Sequence, residues 1–388
     1  MKKLKVDKKV KPYEYFSTMG CRTSNGFDIN FEESYINNIT SAIANGTLYD
    51  DVLSGAQKDG RGNICPATII MPTIAMEVKL RLDASEDYLR DNLPKEDRYF
   101  NAFMIELDKA VSDARDALVE RFNYIASQSP ASAKFMYENH TMSGYVPSEG
   151  IVSALKHGTL AIGQIGLAET LQILTGTDQT TEKGMKYAKR VEELFNKRCA
   201  KFKKETHLNF GVYYTPAENL CYTSFLKWKE KYGELENVTF YIDNDGTRHD
   251  KEYFTNSMHV PVYKEMTPFD KIDIESQLTG YSNAGCITYI ELKRDVVDNI
   301  EALEQMVNYA MNKDIPYFAV NLPNDQCEDC GYQGTIDDIC PKCGSKNISH
   351  LRRVTGYLTG DYKNAFNLGK QIETEQRVKH IEKTEFNE

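Results

Sequence analysis

The stretch "CEDCGYQGTIDDICPKCG" places Cys327, Cys330, Cys340 and Cys343 in two Cys-x-x-Cys knuckles with nine residues between them. Each knuckle brings two sulfurs onto one tight turn, and Gly331 and Gly344 follow, letting backbone amides turn toward sulfur. Four thiolates suit a closed tetrahedral zinc site; an iron–sulfur centre or paired disulfides are the alternatives that this spacing leaves open. A closed site offers no open coordination position, so its work is to staple a small domain. Cys21, in "TMGCRTSNG", has a glycine before it and an arginine after it, a setting that favours thiolate and redox work. Taken alone, a loop cysteine without a role is the plainer reading. Cys199 on a helical apolar face, Cys65 at the start of an apolar run, and Cys221 and Cys286 beside strands read as core. Glu218, in "YYTPAENL", lies where α/β folds build ligand loops and could be an acid or base, although a helix N-terminus is the commoner explanation for a glutamate there. His259 stands among apolar residues and reads as a hydrogen-bonded structural histidine. There is neither a Walker-type loop nor a dinucleotide fingerprint. In "LRRVTGYLTGD", Gly356 interrupts what reads as a short strand, where it packs nothing and costs backbone entropy.

The elements that must hold these residues belong to a chain of 388 residues, 41% hydrophobic and 27% charged, long enough for two or three domains. The net charge of −10 argues against a general nucleic-acid binder. No apolar run is long enough to span a bilayer and no export signal opens the chain, so a cytoplasmic protein with reduced thiols is expected. Residues 1–16 read as a polar arm and 18–63 as loop-rich. "PATIIMP" is a β-type run, and residues 96–126 form a helix with one apolar stripe from Phe100 to Ile125. "SALKHGTLAIGQIGLAETLQILTG" reads as a glycine-interrupted loop entering a helix that stops near Gly176, and 181–204 as a third helix. Over 286–322 the order is strand, helix, strand, a right-handed parallel unit with Ile300, Leu303, Val307 and Ala310 inward. A boundary falls near Asn324, where this pattern gives way to cysteines.

In order, "MGCRT", "GRGN", "KHGTLAIGQIGLAE", "TPAENL", "FTNSMHVPV", "NAGCITYIEL", the two knuckles, "RRVTGYL" and "NLGKQIETEQRVKH" make the chain resemble the anaerobic (class III) ribonucleotide reductases. Those are glycyl radical enzymes that reduce ribonucleoside triphosphates to deoxyribonucleotides. The resemblance covers most of residues 17–382. It implies an α/β fold: the C-terminal part of a ten-stranded α/β barrel of the glycyl radical enzyme type over 17–324, then a zinc-binding and glycyl radical domain over 325–388. Gly356 matches the glycine that stores a radical made by a radical-SAM activase. A glycine lets the radical centre flatten and lets its loop approach a buried thiol closely. Cys327, Cys330, Cys340 and Cys343 match zinc ligands that brace the radical loop. Cys21 matches the cysteine facing the substrate ribose as a reducing partner in the formate-using subgroup. Asn63 matches an asparagine expected to hydrogen-bond the ribose, and Glu218 the glutamate of the TPAE loop. In that family the cysteine receiving the radical lies in the N-terminal half. The resemblance therefore implies a partner chain carrying that half, besides formate, nucleotide substrate and dimerisation of the assembled enzyme. A non-catalytic spare part, or a zinc-ribbon interaction protein, is the competing reading.

Overall fold

The computed structural model describes residues 28–30, 62–85, 92–139, 141–142, 144–214, 217–293, 296, 299–322, 324–336, 338–354, 357–359 and 362–380. Cys21 and Gly356, with the polar arm and most of the expected loop-rich region, lie outside these residues. Three strands, β1 (Asn63–Ile70), β2 (Thr159–Ile165) and β3 (Asn209–Val212), form a parallel sheet in that order. Helix α1 (Met71–Asp83) leaves β1 directly, with Pro72 in its first turn, where a missing N–H costs nothing. The long α2 (Lys95–Ala126) buries Phe100, Phe103, Leu107, Val111, Leu118 and Phe122 as the spacing predicts. After α3 (Leu167–Thr175), α4 (Glu182–Thr206) buries Met185, Ala188, Val191, Phe195 and Cys199, again as predicted. These helices and the sheet share one large core.

The expected loop around "TLAIGQI" is in fact β2, the central strand. All its residues are buried, and a strand covered on both faces shows no apolar–polar alternation. Gly163 is not a break: a Cβ there would meet the Tyr213 carbonyl oxygen at 2.5 Å, so the glycine permits close backbone approach. Within the strand Gln164 donates to Glu192 of α4 at 2.8 Å, and Tyr214 donates to the same carboxyl at 2.5 Å. Burial pushes Glu192 up to about 7, although those two hydrogen bonds pull it down. The folded chain therefore holds this proton more tightly than the unfolded chain does. Its contribution is complete below the ordinary carboxylate range and is lost as pH rises through about 7. The loss amounts to about 3 kcal/mol. Glu192→Gln is expected to flatten the melting temperature between about pH 5 and 8; an unchanged slope across that range would put the effect elsewhere.

Between β3 and the next parallel strand lie α5 (Glu218–Tyr232), the hairpin of β4 (Phe240–Ile242) and β5 (Arg248–Asp250), and α6 (Pro268–Thr279). Then β6 (Thr288–Glu291), α7 (Ile300–Asn312) and β7 (Phe318–Asn321) form the expected parallel unit. Its helix is turned from the expected face. Met306 and Ala310 are buried, whereas Ile300 is 73% and Val307 41% exposed. Met306 takes the centre of the stripe and rotates it away from those two residues. A parallel bridge between Tyr213 and Gly285 joins the two parallel sheets. Asn63, at the start of β1, donates to the Ala284 carbonyl at 3.1 Å. Three strand spacings of a flat sheet would hold them about 14 Å apart, so the sheet curls and Asn63 lies on its concave side.

The C-terminal part is antiparallel: β8 (Asn324–Cys327), β9 (Gln333–Gly334), β10 (Ile348–Val354) and β11 (Tyr357–Thr359), in the order β11-β10-β8-β9. What reads in sequence as one short strand around Gly356 is therefore a hairpin, with Val354 opposite Tyr357. Helices α8 (Tyr362–Ala365) and α9 (Leu368–Glu375) follow. At Gly369 a Cβ would meet the Glu252 carbonyl oxygen at 2.5 Å and Tyr222 at 2.7 Å, so α9 packs closely on the body. Beyond α9 the chain returns to that body, Val378 donating to the Val262 carbonyl at 3.0 Å and His380 to the Glu291 carbonyl at 2.8 Å. Among the described residues no helix is long and apolar enough to cross a membrane.

Candidate functional site

Cys327 ends β8 and Cys330 sits on the turn after it; Cys340 and Cys343 occupy a second turn before β10. The two turns are built alike. Gly331 donates to the Cys327 carbonyl and Gly344 to the Cys340 carbonyl, both at 2.9 Å, and both glycines have left-handed backbones, φ 71° and 74°. All four sulfurs lie within 4.8 Å of one another, with Cys327–Cys343 at 3.5 Å and Cys330–Cys340 at 3.7 Å. These separations are too long for a disulfide. A tetrahedral zinc with bonds of about 2.3 Å spaces its sulfurs about 3.8 Å apart, so donor set and spacing are compatible with structural zinc. The electrostatics agree. Burial pushes the Cys340 thiol up, but the Cys343 and Lys342 amides pull it down further, to about 7. At Cys343 the Ser345 amide pulls down, while the Cys330 and Cys327 sulfurs push the thiol up to about 12. Four sulfurs this close do not all ionise unaided, and a bound cation removes that conflict.

Strand β10 carries the consequence. Ile348 at one end pairs with Cys327, and Val354 at the other pairs with Tyr357. About 20 Å of strand therefore separates Ile348, beside the sulfur centre, from Val354.

Beneath β10 lies a cavity of about 50 Å³, walled by Tyr289 and Glu291 of β6, Asn321 of β7, Arg353 of β10, and Arg377 and His380 beyond α9. It has room for one or two waters. Asn321 donates to Glu291 at 2.6 Å, and Arg377 donates to the Arg353 carbonyl at 2.5 Å and to Glu373 at 3.2 Å. Arg377 thereby pins β10 three residues before Gly356. Burial would lower the Arg377 guanidinium, but the Glu291 and Glu373 carboxylates hold it above its ordinary value. Burial drives His380 down to about 3, with Lys271 adding to the effect. Kept neutral, its Nδ1 accepts from the Glu291 amide at 2.9 Å. His259 places its Nδ1 3.3 Å from the Glu275 carboxylate, an ion-pair contact and not the hydrogen bond expected of it. Burial pushes Glu275 up, but Lys271 and His259 outweigh it and hold the carboxyl at about 2.

Of the residues expected to do chemistry, the structure gathers the four cysteines and places Asn63 on the concave side of the sheet. Glu218 is the first residue of α5, while Cys21 and Gly356 lie outside the described residues. The remaining thiols are packing groups. Cys65, Cys199, Cys221 and Cys286 are all buried, and burial pushes Cys199, Cys221 and Cys286 up to about 12. Cys221 lies within α5, not beside a strand.

The family model described as anaerobic ribonucleoside-triphosphate reductase matches residues 2–380. The chain belongs to the anaerobic ribonucleoside-triphosphate reductase family. It is 31% identical over 340 residues to the anaerobic ribonucleoside-triphosphate reductase of Haemophilus influenzae, covering 83% of this chain and 43% of that protein. With the phage T4 reductase the identity is 30% over 345 residues, covering 86% and 51%. The chain thus spans about half the length of the curated relatives it matches. A solved anaerobic ribonucleotide reductase shares the fold with TM-score 0.63 at 22% identity, over 84% of this chain and 46% of that one. The Thermotoga maritima reductase in complex with dATP and CTP gives 0.59 at 21% identity, over 81% and 45%. For this family member, the matched span, residues 2–380, takes in the curled parallel sheet and the sulfur centre and ends at His380.

Proposed function

We propose that this chain is the C-terminal, glycyl-radical-bearing part of an anaerobic ribonucleoside-triphosphate reductase. It works on ribonucleoside triphosphates, with formate as reductant. The observation that carries this reading is the family match through residue 380, over a chain whose sulfur-braced strand ends at the Gly356 connection. Gly356 stores the radical, generated by a radical-SAM activase. Cys21 is the redox thiol at the ribose, Asn63 a hydrogen-bonding partner of the ribose, and Glu218 a further member of the site. The electrons balance: the ribose C2′–O bond breaks and its oxygen leaves as water, while formate gives up two electrons and leaves as carbon dioxide. Cys327, Cys330, Cys340 and Cys343 hold zinc, which supplies structural bracing.

The concave sheet is part of a ten-stranded barrel completed by the N-terminal half of the relatives' length. Among the described residues β1 and β7 each pair on one side only, leaving edges for that half to cover. The assembled enzyme is a cytoplasmic dimer. The test is anaerobic reconstitution with the completing half and an activase, followed by electron paramagnetic resonance. The wild type is expected to give a glycyl doublet and Gly356→Ala none. Cys21→Ser is expected to keep the doublet and lose turnover. A missing wild-type doublet, or one that survives in Gly356→Ala, would sink the radical assignment.

A further inference from the structure

Arg353 stands out in the charge network beneath β10. Its guanidinium lies 4.8 Å from the centre of the Tyr289 ring, and its Nε is buried with no hydrogen-bond partner. Among the described residues no carboxylate pairs with it, whereas Arg377 next to it is held by Glu373 and faces Glu291. A guanidinium carries five N–H donors and no acceptor, so a buried unpaired edge calls for an oxygen ligand.

The place for one adjoins it. Arg353 walls both the small cavity and a neighbouring cleft of about 320 Å³, whose lining also includes Arg377, Lys379, Asn324 and Thr374. Three cations, Arg353, Arg377 and Lys379, face this cleft against one carboxylate, Glu291, which accepts from Asn321 and lies 3.8 Å from Arg377 and 3.7 Å from Lys379. Glu373 is committed to Lys370 and Arg377. The cleft therefore carries excess positive charge, and it is too large to be a water site.

We infer that this cleft binds a small oxyanion, a phosphate or carboxylate group of a small molecule, with the Arg353 fork as its principal ligand and Lys379 as a supporting charge. Planar, two-pronged recognition of such groups is what arginine does best. The inference does not depend on the radical reading, since binding requires no radical.

Thermal melting of the full chain tests it, with inorganic phosphate in one arm and formate in the other, each against chloride at matched ionic strength. A saturable rise in melting temperature is expected in at least one arm, and the arm that responds identifies the class of oxyanion. Arg353→Gln is expected to weaken that binding by about tenfold or more. Arg353→Lys, which keeps the charge and loses the fork, should fall between them. Lys186→Gln, at an exposed helical lysine, should leave the response unchanged. No saturable rise in either arm, or an equal rise in Arg353→Gln, overturns the proposal. Should Arg353→Gln melt too early for comparison, Lys379→Gln takes its place, with a several-fold loss expected and an unchanged response counting against the site.

Discussion

Cys340→Ser, or stripping of the sulfur centre by a chelator, is expected to unfold residues 324–359 while the core around α2 and α4 stays folded. The two regions do not share a core. Among the described residues the apolar cluster around the sulfurs consists of buried Cys327, Ile336 and Cys340, with Cys330, Tyr332 and Ile348 against them, whereas the aromatic residues of α2 and α4 belong to the main core. So small an apolar cluster cannot offset the backbone entropy of four ordered strands. A metal bound by the four cysteines would supply the difference, on the order of 10 kcal/mol or more for closed thiolate sites. Cys340 is the informative position because it is buried and its sulfur receives the Lys342 amide at 3.4 Å. Elemental analysis should find one zinc in the wild type and none in the variant. Hydrogen exchange should show β8 and β10 losing protection while α2 keeps it. Protected β10 amides after complete metal removal would show that the sheet stands without its centre.

The same contrast explains what was legible in the sequence. The sulfur centre was readable because one local pattern supplies all four ligands, and turns as tight as these fix sulfur positions almost by themselves. The faces of α2 and α4 were readable because a single apolar stripe on an otherwise polar helix has only one way to pack. β2 was not, because burial on both faces removes alternation and its glycines resemble punctuation. The face of α7 was not, because Met306 competes with Ile300 and Val307 and the neighbouring strands decide between them. The polar network beneath β10 was the least legible part. Glu291, Asn321, Arg353 and the Arg377–His380 stretch come from four separate segments, and each alone resembles an ordinary surface residue. One signal was available: Glu291 ends a strand whose preceding residue, Ile290, is fully buried, and a carboxylate at such a position needs partners. Cys21 and Gly356 were marked by the ordered motifs, not by their own chemistry.

Lys251→Met is expected to destabilise the chain by about 3–5 kcal/mol, read from urea midpoints. Lys251 and Glu169 form an ion pair of 2.6 Å with side chains only 0% and 1% exposed. The same Glu169 oxygen accepts from the Thr255 amide at 3.0 Å and the Thr255 hydroxyl at 2.7 Å. Removing the lysine leaves a carboxylate buried without its counter-charge, which costs far more than the pair gains over an apolar pair. The damage should spread toward the proposed site. Asn256, next to Thr255, accepts from the Ala217 amide at 3.0 Å at the entrance to α5, and Lys370 of α9 lies 3.5 Å from the same oxygen. Losing the Glu169 anchor therefore loosens the segment that holds Glu218's helix to the C-terminal one. Adding Glu169→Gln removes the stranded charge while keeping an oxygen for Thr255, and the double variant should recover most of the loss. A double variant no more stable than Lys251→Met would assign the effect to packing of the lysine stem on Tyr253 and Tyr263, whose ring centres lie 5.4 Å from its ammonium. In that case the buried charge pair would be a passenger in this fold and the two tyrosines its support.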